Sequence, residues 1–191
     1  DWGYYSKPPM VAWLIAVSTS WLGSTAFAVR LPAVLLGTLG LFWMYLLAAH
    51  LYGRKAGFWA ALLTAATPGN AALALLMTID APFLFSWSAA LYCFWRFLEG
   101  GRSHGVWLAA TTLVTGLGLL SKQTMFGFLP LAFVFLWVSP ADRPQLRKPG
   151  FWVWIAGSLL FLAPVLVWNM HHDWITAQHT SGHFTSPPVG M

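Results

Sequence analysis

The sequence predicts an all-α fold: a polytopic transmembrane helical bundle of about six spanning helices plus one short re-entrant or juxtamembrane helix. Of the 191 residues, 58% are hydrophobic and only 8% are charged, whereas a soluble domain carries roughly 25% charged residues. Thirteen tryptophans fit a membrane protein, because indole rings collect at the membrane–water boundary. The apolar runs are interpreted as helices, since a segment in lipid must satisfy its own backbone hydrogen bonds.

The first apolar run, Met10 to Leu22, is too short to cross a bilayer. It has 13 residues, whereas a spanning helix needs ~20. Two prolines precede it, and they suit the first turn of a helix. We therefore predict a re-entrant or interfacial helix with Lys7 at the membrane surface. There Lys7 either holds a phosphate as a compact positive charge or extends toward lipid headgroups.

Six longer apolar stretches follow the short one. They are Ala26–Tyr52, Ala56–Met77, Ala81–Leu98, Val106–Leu120, Met125–Val138 and Phe151–Trp168. The second stretch is interrupted by Thr67-Pro68-Gly69-Asn70, which predicts a kink or a broken helix. A polar loop, residues 139–150, precedes the last stretch, and a polar segment, residues 169–191, follows it.

The basic residues predict which side of the membrane each turn faces. If the first run does not cross, seven of the ten basic residues fall on one side, at 54–55, 96–102 and 143–148. That side is cytoplasmic by the positive-inside bias. The opposite side receives Lys7, Arg30 and Lys122. Its few charges cluster at helix ends, as expected of a site. Because the basic residues are scattered between apolar runs, we exclude nucleic acid as a partner.

Asp80 is the main candidate carboxylate. It lies between two apolar stretches, where a charge is costly and by default indicates function. The alternative is an N-cap for the following helix, with Pro82 in its first turn, and one residue can serve both purposes. Arg30 and Lys122 lie at the ends of stretches. Each is either an interfacial anchor or part of a site, with Arg30 a partner for Asp80 or for a phosphate.

The histidines near the end of the chain are possible metal ligands. His171, His172 and Asp173 are adjacent, and His179 and His183 would share one face of a helix. However, no zinc signature of the HExxH kind is present, and adjacent histidines point apart in regular structure. A solvated or hydrogen-bonding loop is therefore favoured over a metal site, and no cofactor is predicted.

Five short motifs occur in order along nearly the whole chain. They are Tyr-Ser-Lys-Pro-Pro at 5–9, Phe-Ala-Val-Arg-Leu-Pro at 27–32, Thr-Ile-Asp-Ala-Pro at 78–82, Leu-Ser-Lys at 120–122 and Trp-Asn-Met-His-His-Asp-Trp at 168–174. Together they resemble the GT-C membrane glycosyltransferases of the protein-mannosyltransferase and aminoarabinose-transferase branch. The resemblance implies a partial GT-C fold with an outward-facing cavity, at the outer, periplasmic face of a bacterial inner membrane. It also implies transfer of a hexose or pentose from a polyprenyl-phosphate donor to a lipid, glycan or protein acceptor.

The resemblance implies roles for particular residues. In the family, the lysine before the prolines contacts the lipid phosphate, which carries over to Lys7. Asp80 matches an aspartate that shapes the active site, and we interpret it as a supporting catalytic residue. The other substrate-binding candidates are Tyr5, Arg30, Lys122 and His172. Ser6 stands where the aminoarabinose branch has a glutamate that helps to hold a metal. This difference weakens the prediction of a metal site and the assignment of aminoarabinose as the sugar.

The family's proposed catalytic base is an acidic residue upstream of the Lys-Pro-Pro motif, and Asp1 does not match its motif. We therefore expect residues 1–191 to be a single transmembrane glycosyltransferase domain, incomplete at both ends and inactive by itself. Its expected parts are an outer loop and re-entrant helix at 1–25, spanning helices at 26–168, and an outer loop at 169–191.

Two other functions stay open at this point. Broken helices and charges at one face also mark the substrate paths of transporters and channels. A transporter predicts paired charges deep within spans and two related halves. The sequence shows charges only at the ends of its stretches. A non-catalytic membrane protein that binds lipid could share the site at Lys7.

Overall fold

The computed structural model describes residues 7–175, and every regular element in that range is helical. The α-helices of this range are α1 (Met10–Leu22), α2 (Ala26–Tyr52), α3 (Arg54–Ala66), α4 (Pro68–Leu75), α5 (Asp80–Glu99), α6 (His104–Leu119), α7 (Phe128–Val138), α8 (Pro149–Leu160) and α9 (Ala163–Met170). Two 3₁₀ turns, Gln123–Gly127 and Arg143–Arg147, lie before α7 and α8. The prediction of an all-α fold is confirmed for residues 7–175.

The short helix α1 has the predicted bounds and packs beside the start of α2. With 13 residues it is about 20 Å long, less than the ~30 Å of a hydrocarbon core. Pro32 in α2 has no N–H to donate to the carbonyl of Ala28, one helical turn earlier. The hydroxyl of Ser18 in α1 donates to that oxygen instead, at 2.6 Å. One hydrogen bond therefore satisfies the carbonyl that the proline leaves free and joins the two helices.

Two of the predicted apolar stretches are broken helices. The break predicted at Thr67 to Asn70 is confirmed, since Thr67 is extended and Pro68 opens α4. The last stretch, Phe151–Trp168, was predicted as one continuous helix, and that prediction is wrong. It divides into α8 and α9, which meet at a bend of 41°. Pro164 at the start of α9 cannot donate a helical hydrogen bond, which explains the break.

Helix length supports fewer spans than the sequence predicts. Among residues 7–175, only α2 is long and apolar enough to cross a membrane by itself, with 27 residues and a mean hydropathy of 1.9 over its most apolar window. The bent pair α8–α9 would be a second span if it acts as one. Helices α1 and α6 and the segment 123–138 are apolar but shorter.

The core of the bundle forms around α5. Ala89 and Ala90 are fully buried, so α5 packs closely against its neighbours. Phe94 meets Trp154 of α8 at 5.0 Å between ring centroids and Phe128 of α7 at 6.2 Å. The buried indole N–H of Trp154 donates to the hydroxyl of Thr115 in α6 at 3.2 Å, which satisfies the polar end of the ring.

Gly57 of α3 packs closely against α2. An added Cβ would lie 2.7 Å from Cβ of Ala49 and 2.8 Å from the carbonyl oxygen of Tyr45, so a side-chain rotation could not relieve the contact. We expect Gly57→Ala to destabilise the full-length protein by about 1–3 kcal/mol, measured by thermal unfolding in detergent. Gly105→Ala is the matched control, because nothing lies within 4 Å of its added Cβ. Equal melting temperatures for the two variants would contradict this packing.

A charged cluster closes the end of the bundle where α2 and α5 terminate. Nε2 of His50 lies 2.6 Å from Oε1 of Glu99, and Nε of Arg96 lies 3.0 Å from Oε2 of Glu99. The hydrogen bond with His50, helped by the positive charge of Arg96, lowers the pKa of the Glu99 carboxyl. Glu99, just beyond the apolar stretch 81–98, is therefore held ionised by these partners.

Candidate functional site at the amino end of α5

Asp80 and Lys122 form an ion pair at the opposite end of α5 from Glu99. Nζ of Lys122 contacts Oδ1 of Asp80, and the two side chains are 31% and 30% exposed. Helices α5 and α6 form an antiparallel hairpin, so Asp80 at the start of α5 meets Lys122 just after the end of α6. The structure thus joins two residues that the sequence predicted separately.

Asp80 is not the N-cap that the sequence allowed as an alternative. Ile79 occupies the cap position, and Asp80 is the first helical residue. The hydroxyl of Thr78 accepts a hydrogen bond from the backbone N–H of Asp80 at 3.3 Å. Because a carboxylate is favoured at the positive end of a helix dipole, this position still stabilises its charge. The side chain itself is directed to Lys122.

The backbone around Lys122 is held by tight packing. Its N–H donates to the carbonyl of Gly118 at 3.1 Å, and the preceding Ser121 is fully buried. A Cβ added at Gly118 would lie 2.7 Å from Cγ of Met125, so only glycine fits without a shift. The ammonium group lies 5.6 Å from the ring centroid of Phe83, within the range of a cation–π contact. Lys122 therefore presents its charge from a fixed position.

A backbone hydrogen bond brings the segment of Lys7 to the same end of the bundle. Pro8 and Pro9 have no N–H, so Met10 offers the first backbone donor after Lys7. Its N–H donates to the carbonyl of Leu120 at 3.1 Å. That carbonyl belongs to the end of α6, where helical partners run out. The Lys7 segment is therefore joined to the segment that carries Lys122, and Lys7 itself is exposed.

Arg30 does not pair with Asp80, as one sequence interpretation proposed. It lies near the start of α2 and is exposed, and it forms no ion pair within the range 7–175. The reason is geometric, because the α5–α6 hairpin brings Lys122 to Asp80 instead. The other interpretations of Arg30, as a phosphate ligand or an interfacial anchor, stay predictions.

His172 contacts its own turn. Its ring stacks on Trp168 at 4.1 Å between centroids, and Nδ1 lies 2.8 Å from the carbonyl oxygen of Trp168, which accepts. In the part of the chain that the structure describes, no hydrogen bond or ion pair joins it to Asp80 or Lys122. No contact with the Asp80–Lys122 pair therefore supports the predicted substrate-binding role of His172, which stays a prediction.

Five residues from the sequence analysis lie outside the described residues: Asp1, Tyr5, Ser6, His179 and His183. Within residues 7–175, no group of three or more His, Cys, Asp or Glu side chains is arranged to hold a metal ion. The structure therefore offers no ligand set on which to build a metal site in this range.

Sequence reasoning missed the residues that position the site. The carbonyl of Leu120 and the packing of Met125 on Gly118 decide where Lys7 and Lys122 lie. The one available signal was the pair of glycines at 116 and 118, two residues apart in an apolar helix. Glycine in a helix interior is unfavourable by ~1 kcal/mol unless close packing requires it. A Cβ added at Gly116 would also lie 2.4 Å from the ring of Phe161.

The family described as dolichyl-phosphate-mannose-protein mannosyltransferase matches residues 6–168 of the chain. The match begins just before Lys7 and includes both members of the ion pair. The chain belongs to this family. The resemblance to GT-C membrane glycosyltransferases predicted from the five motifs is thereby confirmed.

Two curated proteins are similar in sequence to this chain. Lipid A galacturonosyltransferase RgtD of Rhizobium johnstonii is 32% identical over 181 residues, which cover 94% of this chain and 37% of that protein. YkcB of Bacillus subtilis, which is named a mannosyltransferase, is 28% identical over 172 residues, which cover 90% of this chain and 23% of that protein. The chain thus spans well under half the length of either relative.

A solved structure has the same fold. The apo crystal structure of ArnT from Cupriavidus metallidurans superposes with a TM-score of 0.66 at 20% sequence identity. The superposition covers 94% of this chain and 33% of that one. Helices α1 to α9 therefore form about a third of an ArnT-like bundle.

Proposed function

We propose that the chain is part of an enzyme that transfers a hexose or pentose from a polyprenyl-phosphate donor to a lipid, glycan or protein acceptor. The observation that carries this proposal is the hydrogen bond from Met10 to Leu120. It holds the Lys7 segment against the loop of Lys122, whose side chain pairs with Asp80. Three ionisable candidates thus share one end of an apolar bundle, as the binding of an anionic headgroup requires.

Lys7 is the cation best suited to bind the phosphate of the donor. The charge of Lys122 is already partly balanced by Asp80, whereas Lys7 has no ion partner within residues 7–175 and is exposed. Arg30, also exposed and without an ion partner in that range, can approach the same anion. Positive groups that are held next to the site where negative charge develops stabilise the transition state. This stabilisation is among the largest contributions to catalysis.

The proposed reaction breaks the bond between the anomeric carbon and the phosphate oxygen. The phosphate leaves with the electron pair, and Lys7 and Lys122 stabilise its increasing negative charge. The acceptor hydroxyl forms the new bond to the anomeric carbon. A carboxylate outside the described residues takes its proton as a general base. Asp80 acts on this step by orienting Lys122.

The proposed membrane arrangement follows from the length of α5. Its 20 residues make about 30 Å of helix, the thickness of a hydrocarbon core, with Asp80 at one end and Glu99 at the other. We propose about six passages, formed by α2, α3–α4, α5, α6, the segment 123–138 and α8–α9. Asp80 then faces the outer, periplasmic side of a bacterial inner membrane, and α1 lies at that surface.

A transporter is the less supported alternative. Its coupling charges would lie near the bilayer midplane, in broken helices. The ion pairs of residues 7–175 lie instead at the two ends of α5. The names of the curated relatives describe sugar transfer as well.

The test is a transfer assay with the full-length protein in proteoliposomes. Polyprenyl-phosphate donors that carry labelled mannose or galacturonate, the sugars in the relatives' names, are incubated with separate lipid, glycan and protein acceptors. We expect label to move to one acceptor class. Entry of intact donor into the vesicle lumen without transfer would support the transporter instead.

A further inference from the structure

A group of exposed basic residues lies at the end of the bundle opposite the Asp80–Lys122 pair. We call it the cationic patch, and it consists of Arg102, Arg143, Arg147 and Lys148. Arg102 lies in the turn between α5 and α6, and the other three lie in or beside the 3₁₀ turn before α8. No member forms an ion pair within the part of the chain that the structure describes. The patch therefore has charge available for a partner.

Contacts between the two loops bring the patch together. Nε2 of Gln145, in the middle of the 3₁₀ turn, donates to the carbonyl of Leu98 at 3.1 Å. The ring of His104 stacks on Phe97 at 4.8 Å, and a Cβ added at Gly150 would lie 3.4 Å from the Phe97 ring. The start of α8 is thus packed on the residues that flank Arg102.

The nearby carboxylates do not neutralise the patch. Asp142 accepts a hydrogen bond from the hydroxyl of Ser139 at 2.7 Å. Glu99 is held by His50 at 2.6 Å and Arg96 at 3.0 Å. Glu99 is therefore balanced by neighbours outside the patch, whereas Asp142 keeps its charge beside the four cations of the patch. An anion that approaches this surface would still meet mainly positive charge.

Two tryptophans put the patch at the depth of lipid headgroups. Trp137 at the end of α7 is 59% exposed, and Trp152 near the start of α8 is 54% exposed. Nε of Arg143 donates to the carbonyl of Trp137 at 2.9 Å, and the indole N–H of Trp152 donates to the carbonyl of Leu146 at 2.9 Å. Exposed indoles on both sides of a loop are typical of the membrane interface. The loop is therefore held at that level by aromatic anchors.

We propose that the cationic patch binds the headgroup of an anionic phospholipid. A phosphodiester headgroup complements arginine and lysine side chains, through charge-assisted hydrogen bonds and through the surface potential of the leaflet. The tryptophans supply the apolar contact for the first part of the acyl chains. This site lies at the far end of α5 from Asp80 and does not depend on the proposed sugar transfer. It requires only that the bundle is inserted in a membrane.

The test is native mass spectrometry of the full-length protein in neutral detergent. Phosphatidylglycerol and phosphatidylcholine with the same acyl chains are titrated separately. We expect preferential binding of phosphatidylglycerol. Removing two cations in R147Q/K148Q should weaken that binding by about 25-fold, because each cation contributes about fivefold. The charge-retaining variant R147K/K148R should stay within about twofold of the parent. If R147Q/K148Q does not fold, Arg102→Gln from the other loop should give about a fivefold loss.

The matched control is R54Q/K55Q. These residues are also adjacent and exposed, lie at the same end of the bundle, and form no ion pair within residues 7–175. They are the first two residues of α3, outside the patch. We expect less than about a twofold change for this control. The proposal is wrong if the parent shows no preference between the lipids, or if both double variants lose phosphatidylglycerol equally.

Discussion

Replacing Lys7 with alanine in the full-length protein should reduce sugar transfer, measured as kcat/KM with a labelled polyprenyl-phosphate donor, by about 100-fold or more. Lys7 is the exposed lysine whose segment is fixed to the end of α6 by the Met10–Leu120 hydrogen bond. In the proposed reaction it binds the phosphate in the ground state and stabilises it as it leaves. Removing it should therefore lower kcat and also weaken donor binding.

Lys55→Ala is the control for this prediction. Lys55 is exposed and also forms no ion pair in the described range, but it lies next to the carboxyl end of α2, far along the bundle from Lys122. Its replacement should change transfer by less than about twofold, because it is remote from the proposed site. Lys7→Arg should keep part of the activity, since a guanidinium can also bind phosphate. Full turnover by Lys7→Ala would reject the phosphate-binding role.

Breaking the Asp80–Lys122 pair should have the second largest effect. We expect Asp80→Asn and Lys122→Gln each to lower transfer by about 10- to 100-fold, because small shifts in a positioning group cost that much. The two residues act through one contact. The kcat/KM of the double variant should therefore be no lower than that of the less active single variant. A double-mutant cycle on kcat/KM measures this coupling.

The Arg96–Glu99 pair at the other end of α5 is the control for the cycle. It is also an ion pair, with 3.0 Å between Nε and Oε2, but it lies remote from the proposed site. Glu99→Gln should leave transfer within about twofold of the parent. Additive losses for Asp80→Asn and Lys122→Gln would show that the two side chains act independently, against the positioning role of Asp80.

The bounds of α1 and α2 were predictable because the chain marks them. Pro8 and Pro9 precede α1, and glycines at 23 and 53 follow α1 and α2 with positive φ angles of 76° and 91°. Such residues stop or start helices for steric reasons that are visible in the sequence. The break between α8 and α9 was missed because the stretch was assigned from its apolar composition and length. Pro164 marks the break in the sequence, since proline cannot donate the helical hydrogen bond.

The candidate site was only partly predictable. The sequence indicated Asp80 and Lys122 as individual candidates, because charges next to apolar stretches are costly. That they pair with each other depends on the register of the α5–α6 hairpin, which no local pattern encodes. Arg30 was equally plausible as a partner for Asp80 on composition alone. The role of Leu120 could not be predicted, because the group that acts is a backbone carbonyl and every residue has one.

The proposed phosphate site at Lys7 is tested most directly by a binding measurement that compares a phosphate with an alcohol on the same lipid tail. Native mass spectrometry of the full-length protein with polyprenyl monophosphate and with the matching polyprenol supplies it. We expect the phosphate to bind at least about tenfold more tightly than the alcohol. We also expect Lys7→Ala to reduce this preference while Lys55→Ala keeps it. Equal affinity for the two lipids, or an unchanged preference in Lys7→Ala, would contradict the assignment of this end of the bundle as an anionic-lipid site.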